Sequence, residues 1–156
     1  MIPKNIILHC SATEDSETPS WEAIRRFHKD IRGWRDIGYH YGLEEYDGEL
    51  VILRGRSPFD MGAHCVAAGR NRDSLGVCVV GEYDTEAPDE EKYLATVALL
   101  ISLCFMFHID PDNVYGHREF EMNKTCPGDM WDLDRLRDDI REGLPEATGL
   151  GSYLVV

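Results

Sequence analysis

The chain opens on an apolar run at residues 5–9, rich in isoleucine and leucine, that gives way to a polar cluster at residues 9–13. A short continuous apolar run of this kind predicts a buried strand whose end delivers His9 to a sheet edge. After a loop at 14–19, Ser20 stands ahead of Trp21 as a helix N-cap, and Ile24, Phe27, His28 and Ile31 recur at helical spacing until Gly33 ends the helix. Residues 37–46 alternate apolar with other positions, Asp47 and Gly48 supply a tight turn, and residues 49–54 resume, which predicts a β-hairpin with Tyr39 and His40 at the start of its first strand. Residues 74–81 (SLGVCVVG) predict a fully buried central strand, and 89–107 a long helix entered through an acidic turn after Pro88. A short strand or loop at 112–117 ends in His117. Residues 121–130 are loop by composition, 132–141 an amphipathic helix, and 145–156 a C-terminal tail.

No repeat, low-complexity stretch or linker interrupts this order. The expectation is one α/β domain over residues 1–144, with a central mixed β-sheet flanked by about three helices. The sheet is expected to be mixed because the hairpin is antiparallel while the long helix permits a parallel crossover. A chain of 156 residues, 43% hydrophobic, can hold its own core without staples. Its formal charge of −13, with 29 acidic against 16 basic side chains, repels a nucleic-acid backbone, so no nucleic-acid partner is expected. The acidic runs at 82–91 and 129–142 read as a solvated loop and a solvated helix face. Five cysteines without any C-x-x-C do not make a disulfide framework, and Cys78 and Cys104, set in apolar runs, read as core. The first residues carry too short an apolar stretch for a signal peptide, and the apolar run at 94–108 is broken by Thr96, Ser102 and His108. Synthesis in the cytoplasm without membrane insertion is the expectation.

A zinc hydrolase needs three protein ligands from His, Cys or carboxylates and an open position for water. His9 and His117 end predicted strands and Cys126 lies in a loop nine residues after His117, so the three could converge at one sheet edge. Spacing alone leaves this open, because a single His more often packs in a core or on a surface, and the specific H-E-x-x-H pattern is absent.

The segments IILHCSAT (6–13), IRRFHKDIRGWRDIGYHY (24–41), DGELVILR (47–54), GAHCVAAGRNRDSLGVCVVG (62–81), GHRE (116–119) and KTCPG (124–128) resemble, in order across residues 6–136, the type-2 N-acetylmuramoyl-L-alanine amidases. That family includes short bacteriophage lysozymes and animal peptidoglycan recognition proteins. The resemblance implies one Zn2+ per chain in a groove at one sheet edge, held by His9, His117 and a Cys126 thiolate. It implies that Tyr39 hydrogen-bonds the attacking water, that Lys124 stabilises charge on the scissile carbonyl, and that His64 contacts substrate in the groove. The implied reaction is hydrolysis of the amide between N-acetylmuramic acid and L-alanine in peptidoglycan, by a monomeric, bacteriolytic endolysin of phage or prophage origin that reaches the cell wall after release. The alternatives are a non-catalytic peptidoglycan-recognition module, which commonly lacks the cysteine ligand, and a cytoplasmic amidase that recycles muropeptides, which typically has an aspartate in its place. Some family members carry a catalytic glutamate where this chain has Cys78, so Cys78 is expected to pack and Tyr39 to handle the proton. His28 and His40 are expected to be structural. Strand alternation points Cys10 away from the face of His9, against a role as nucleophile or fourth ligand.

Overall fold

The computed structural model describes residues 1–13 and 20–145. The tail expected at 145–156 lies outside the described residues beyond Pro145.

Five strands form one mixed sheet: β1 (Asn5–Cys10), β2 (Tyr41–Tyr46), β3 (Glu49–Arg54), β4 (Ser74–Val79) and β5 (Val114–Gly116), in the order β3-β2-β4-β1-β5. Only the β2/β3 hairpin is antiparallel; β1 runs parallel to both β4 and β5, with His9 level with Cys78. Among the described residues three α-helices accompany the sheet: α1 (Ser20–Arg26), α2 (Glu90–Phe107) and α3 (Leu133–Gly143).

Alternation along the two central strands assigns the two faces of the sheet. Ile6 and Leu8 of β1 and Leu75, Val77 and Val79 of β4 join the main core with Leu99, Leu100 and Leu103 of α2 and Leu136 and Ile140 of α3. The intervening residues, His9 on β1 and Ser74, Gly76 and Cys78 on β4, point to the opposite face, where Trp21, Ile37 and Cys78 form a smaller cluster with Tyr39 packed against it. One face therefore holds the domain together, while the other carries small and polar residues on which a site can be built. The ends of the helices are set by polar groups. The Asp89 carboxylate accepts from the Lys92 N–H at 2.8 Å and caps α2, a contact worth about 1 kcal/mol.

Three sequence expectations change at the start of the chain. Ser20 is the first residue of α1 and not its cap; the buried Glu44 carboxylate of β2 accepts from the Ser20 and Trp21 N–H groups. The regular helix stops at Arg26 and continues as a single π turn, Phe27–Ile31. Phe27 and Ile31, placed on the apolar stripe by their spacing, are 46% and 73% exposed, because among the described residues no element covers the helix beyond its first turns. Regular pairing in β2 begins at Tyr41, so Tyr39 and His40 precede the strand. They are nevertheless fixed, since the His40 N–H donates to the Gly76 carbonyl (2.9 Å) and the Tyr39 carbonyl accepts from the Arg56 N–H (3.0 Å).

Candidate metal centre

His9 is the penultimate residue of β1, and His117 directly follows β5. Parallel pairing of these strands brings their carboxyl ends together, the edge where open α/β sheets commonly bind ligands. The GHRE segment completes the arrangement. Glu119 accepts from the Gly116 N–H at 2.7 Å and pairs with Arg137 of α3, fixing the turn that carries His117. Arg118 ties down the loop carrying Cys126: its N–H donates to the Cys126 carbonyl (2.7 Å), and its guanidinium donates to the carbonyls of Gly128 and Trp131.

As a result one ligand atom from each of His9, His117 and Cys126 lies within 4.8 Å of the others. His9 Nδ1 and Cys126 Sγ are 3.5 Å apart. Zinc bonds of roughly 2.0 Å to nitrogen and 2.3 Å to sulfur at a tetrahedral angle put two such atoms about 3.5 Å apart. The pair thus already stands at the separation a zinc ion requires. Burial, and then the neighbouring rings of His64 and His117, hold the His9 pKa well below its usual value. Burial also lowers that of His117, partly offset by Glu121. Both imidazoles are therefore neutral at neutral pH, the state in which they can bind a metal. A hydrogen bond with the Cys10 thiol, reinforced by burial, pushes the Cys126 thiol up, so its proton must be displaced by a cation. The Cys10 N–H points at the Cys126 sulfur from 3.4 Å, where it can stabilise a thiolate. Cys10 alternates away from the His9 face, yet the loop before α3 brings Cys126 close enough to meet it.

The other expected site residues are placed as follows. The Tyr39 ring lies 5.1 Å from the His9 ring, and its hydroxyl forms a hydrogen bond with the Cys78 thiol; burial, followed by the nearby thiols of Cys78, Cys126 and Cys10, keeps it a phenol. Lys124 is exposed on the loop and close enough for its charge to depress the His117 pKa. His64, expected to contact substrate, lies against His9. Its Nδ1 is 3.0 Å from His9 Nε2, and its Nε2 is fully buried, with the Ser74 backbone favouring a proton on the ring. The ring fits a slot without side chains, since a Cβ on Gly62 or Gly76 would lie 2.5 Å from His64 Cδ2. His64 stands behind His9; when the Nε2–H of His9 is the donor of this contact, Nδ1 keeps its lone pair toward Cys126. His40 is structural as expected, accepting from the Gly76 N–H (2.9 Å) and donating to the Asp60 carbonyl (3.0 Å). The Gly38 N–H donates to His28 Nδ1 at 3.1 Å.

Glu121 was not singled out by sequence. Its carboxylate is 3.2 Å from His117 Nε2, which leaves Nδ1 of that ring for the shared centre. The four-residue interval from His117 was its only trace in the sequence.

A profile of the family described as N-acetylmuramoyl-L-alanine amidase matches residues 1–129. The endolysin of Escherichia phage T7 is 42% identical over 79 residues, covering 51% of this chain and 48% of the relative. Peptidoglycan-recognition protein LB of Drosophila melanogaster is 34% identical over 120 residues, covering 76% of this chain and 49% of the relative. These alignments span about half the length of the curated relatives. Among solved structures, the N-acetylmuramoyl-L-alanine amidase LysC from Clostridium intestinale superposes with a TM-score of 0.76 at 26% identity, over 90% of this chain and 87% of that one. With most of its length matched by the family profile and its fold shared with a solved member, the chain belongs to the N-acetylmuramoyl-L-alanine amidase family.

Proposed function

We propose that the protein is a zinc-dependent peptidoglycan amidase that cuts between N-acetylmuramic acid and L-alanine. The observation that carries this reading is the convergence of two neutral imidazoles and a thiol, with His9 Nδ1 and Cys126 Sγ at 3.5 Å. Zinc bound there would activate water at neutral pH and polarise the scissile carbonyl. The chain's own residues do the rest. His64 and Glu121 fix the tautomers of His9 and His117, so each ring presents Nδ1 to the centre. The Tyr39 phenol stands beside His9 as a neutral hydrogen-bond donor and relay for the proton that leaves the attacking water. Lys124, exposed at the rim, can swing its ammonium to the carbonyl oxygen as charge develops there.

The cysteine favours catalysis over recognition alone, since a half-buried thiol beside two imidazoles serves a metal and adds nothing to sugar binding. The relationship to phage endolysins supports a lysin made in the cytoplasm and acting on the wall. Among the described residues no helix is long and apolar enough to cross a membrane.

Digestion of purified peptidoglycan, followed by mass spectrometry, tests the bond cut. Stem peptides with a free N-terminal alanine and glycans keeping an intact lactyl carboxylate are expected, both abolished by chelator and restored by zinc. Cleavage within the glycan or the stem peptide would refute the assignment.

A further inference from the structure

A second group of potential ligands shares His117 with the first. One ligand atom from each of Cys65, His117 and Glu121 lies within 4.8 Å of the others. Cys65 sits in the loop entering the 3-10 turn Ala67–Arg72, and Glu121 in the loop after His117, so the three come together only in the fold. Cys65 is 1% exposed, and its thiol makes a long 3.8 Å contact with the Ala67 carbonyl. The proximity of sulfur, carboxylate and imidazole is what carries the site. Glu121 holds His117 Nε2 at 3.2 Å while its own side chain is one-third exposed, which gives an ion a route from solvent. A thiol, a carboxylate and an imidazole are a donor set suited to zinc and, more strongly, to softer cations such as cadmium.

We infer that Cys65 Sγ, the Glu121 carboxylate and His117 Nε2 form a second, weaker site for a soft divalent cation, back to back with the first across the His117 ring. The inference needs His117 to present its two nitrogens in opposite directions, and it does not depend on the amidase reading. Its proton balance explains why it is weaker. When Nδ1 already serves the first ion, occupying Nε2 removes the last ring proton and leaves an imidazolate bridge, while Cys65 loses its thiol proton.

The test is a cadmium titration of the full-length, demetallated protein under a phosphine reductant, following the thiolate-to-cadmium charge-transfer absorbance together with proton release. The native chain should show two successive steps, the second with its own increment of thiolate absorbance. Cys65→Ser should lose the second step and keep the first, whereas Cys126→Ser should lose the thiolate signal of the first and keep that of Cys65. Glu121→Gln, a substitution at a partly exposed position, should move the second midpoint to higher cadmium, with circular dichroism checking that each variant is folded. Saturation of the native chain in a single step would overturn the inference, as would a second step that persists in Cys65→Ser or is unmoved in Glu121→Gln. Loss of the first step alone would count against the His9 centre and leave this one standing.

Discussion

Replacing His64 by methionine isolates what the second imidazole does for the first. Methionine and glutamine are alike in length and shape and differ in the amide, so the pair separates loss of packing from loss of a hydrogen-bond acceptor. In the methionine variant the His9 Nε2–H, at a residue only 1% exposed, loses its partner at 3.0 Å. Leaving such a buried donor unmade costs about 1–3 kcal/mol of stability. Loss of a partner that orients a metal-binding histidine typically weakens the metal by about 10–100-fold, equivalent to roughly 1.4–2.7 kcal/mol. Zinc affinity measured by competition with a chromophoric chelator, alongside urea unfolding, reads both effects. The methionine variant should fall in that range and the glutamine variant should recover most of the loss, because its amide oxygen can accept from His9. A folded methionine variant whose zinc affinity stays within about threefold of native would refute the orienting role.

Three further outcomes follow from the same geometry. Gly76→Ala puts a methyl 2.5 Å from His64 Cγ and Cδ2 and should cost about 1–3 kcal/mol in urea unfolding while weakening zinc; an unchanged midpoint would show that the slot is not rigid. Burial holds the folded pKa of His40 below 6.5 and that of His64 at about 3, whereas the unfolded imidazoles take up protons near 6.5. The unfolded state therefore binds more protons in acid: stability is full above about pH 6.5 and falls as pH drops below it, by up to about 1.4 kcal/mol per unit per imidazole. In chelator-treated protein His40→Asn should reduce that slope, and an unaltered slope would show that His40 titrates normally. Because a surface of net charge −13 offers no long-range attraction to an anionic wall, activity should change by less than about twofold between low and moderate ionic strength; a steep loss would reveal a charge-steered encounter.

Continuous apolar runs and strong turn chemistry made most of the fold legible in the sequence. β1, β4, the hairpin turn at Asp47 and Gly48, α2 with its Asp89 cap, and α3 all stand within a few residues of where their patterns put them. The pattern failed where spacing was helical but none of the described residues covered the face, at Phe27 and Ile31. It also failed at the start of α1, where the cap comes from Glu44, 24 residues after Ser20. The three candidate ligands were visible because His9 and His117 stand at strand ends and all three lie within recognisable segments. The residues that hold them were not. His64, Glu121 and Cys10 act through contacts that exist only after β1, β4 and β5 have paired, and a sequence carries no local mark of such contacts. The small residues of β4 are the nearest thing to one: Gly76 reads as core, and only the folded chain shows that its missing side chain is the room into which His64 fits.

The claim on which the account rests is that His9, His117 and Cys126 hold one zinc ion between them. Anomalous diffraction at the zinc edge, from crystals grown with one equivalent of zinc, tests it most directly. The account predicts a single strong peak within bonding distance of His9 Nδ1, His117 Nδ1 and Cys126 Sγ. A peak elsewhere, or no ordered ion at that point in fully loaded protein, would contradict it.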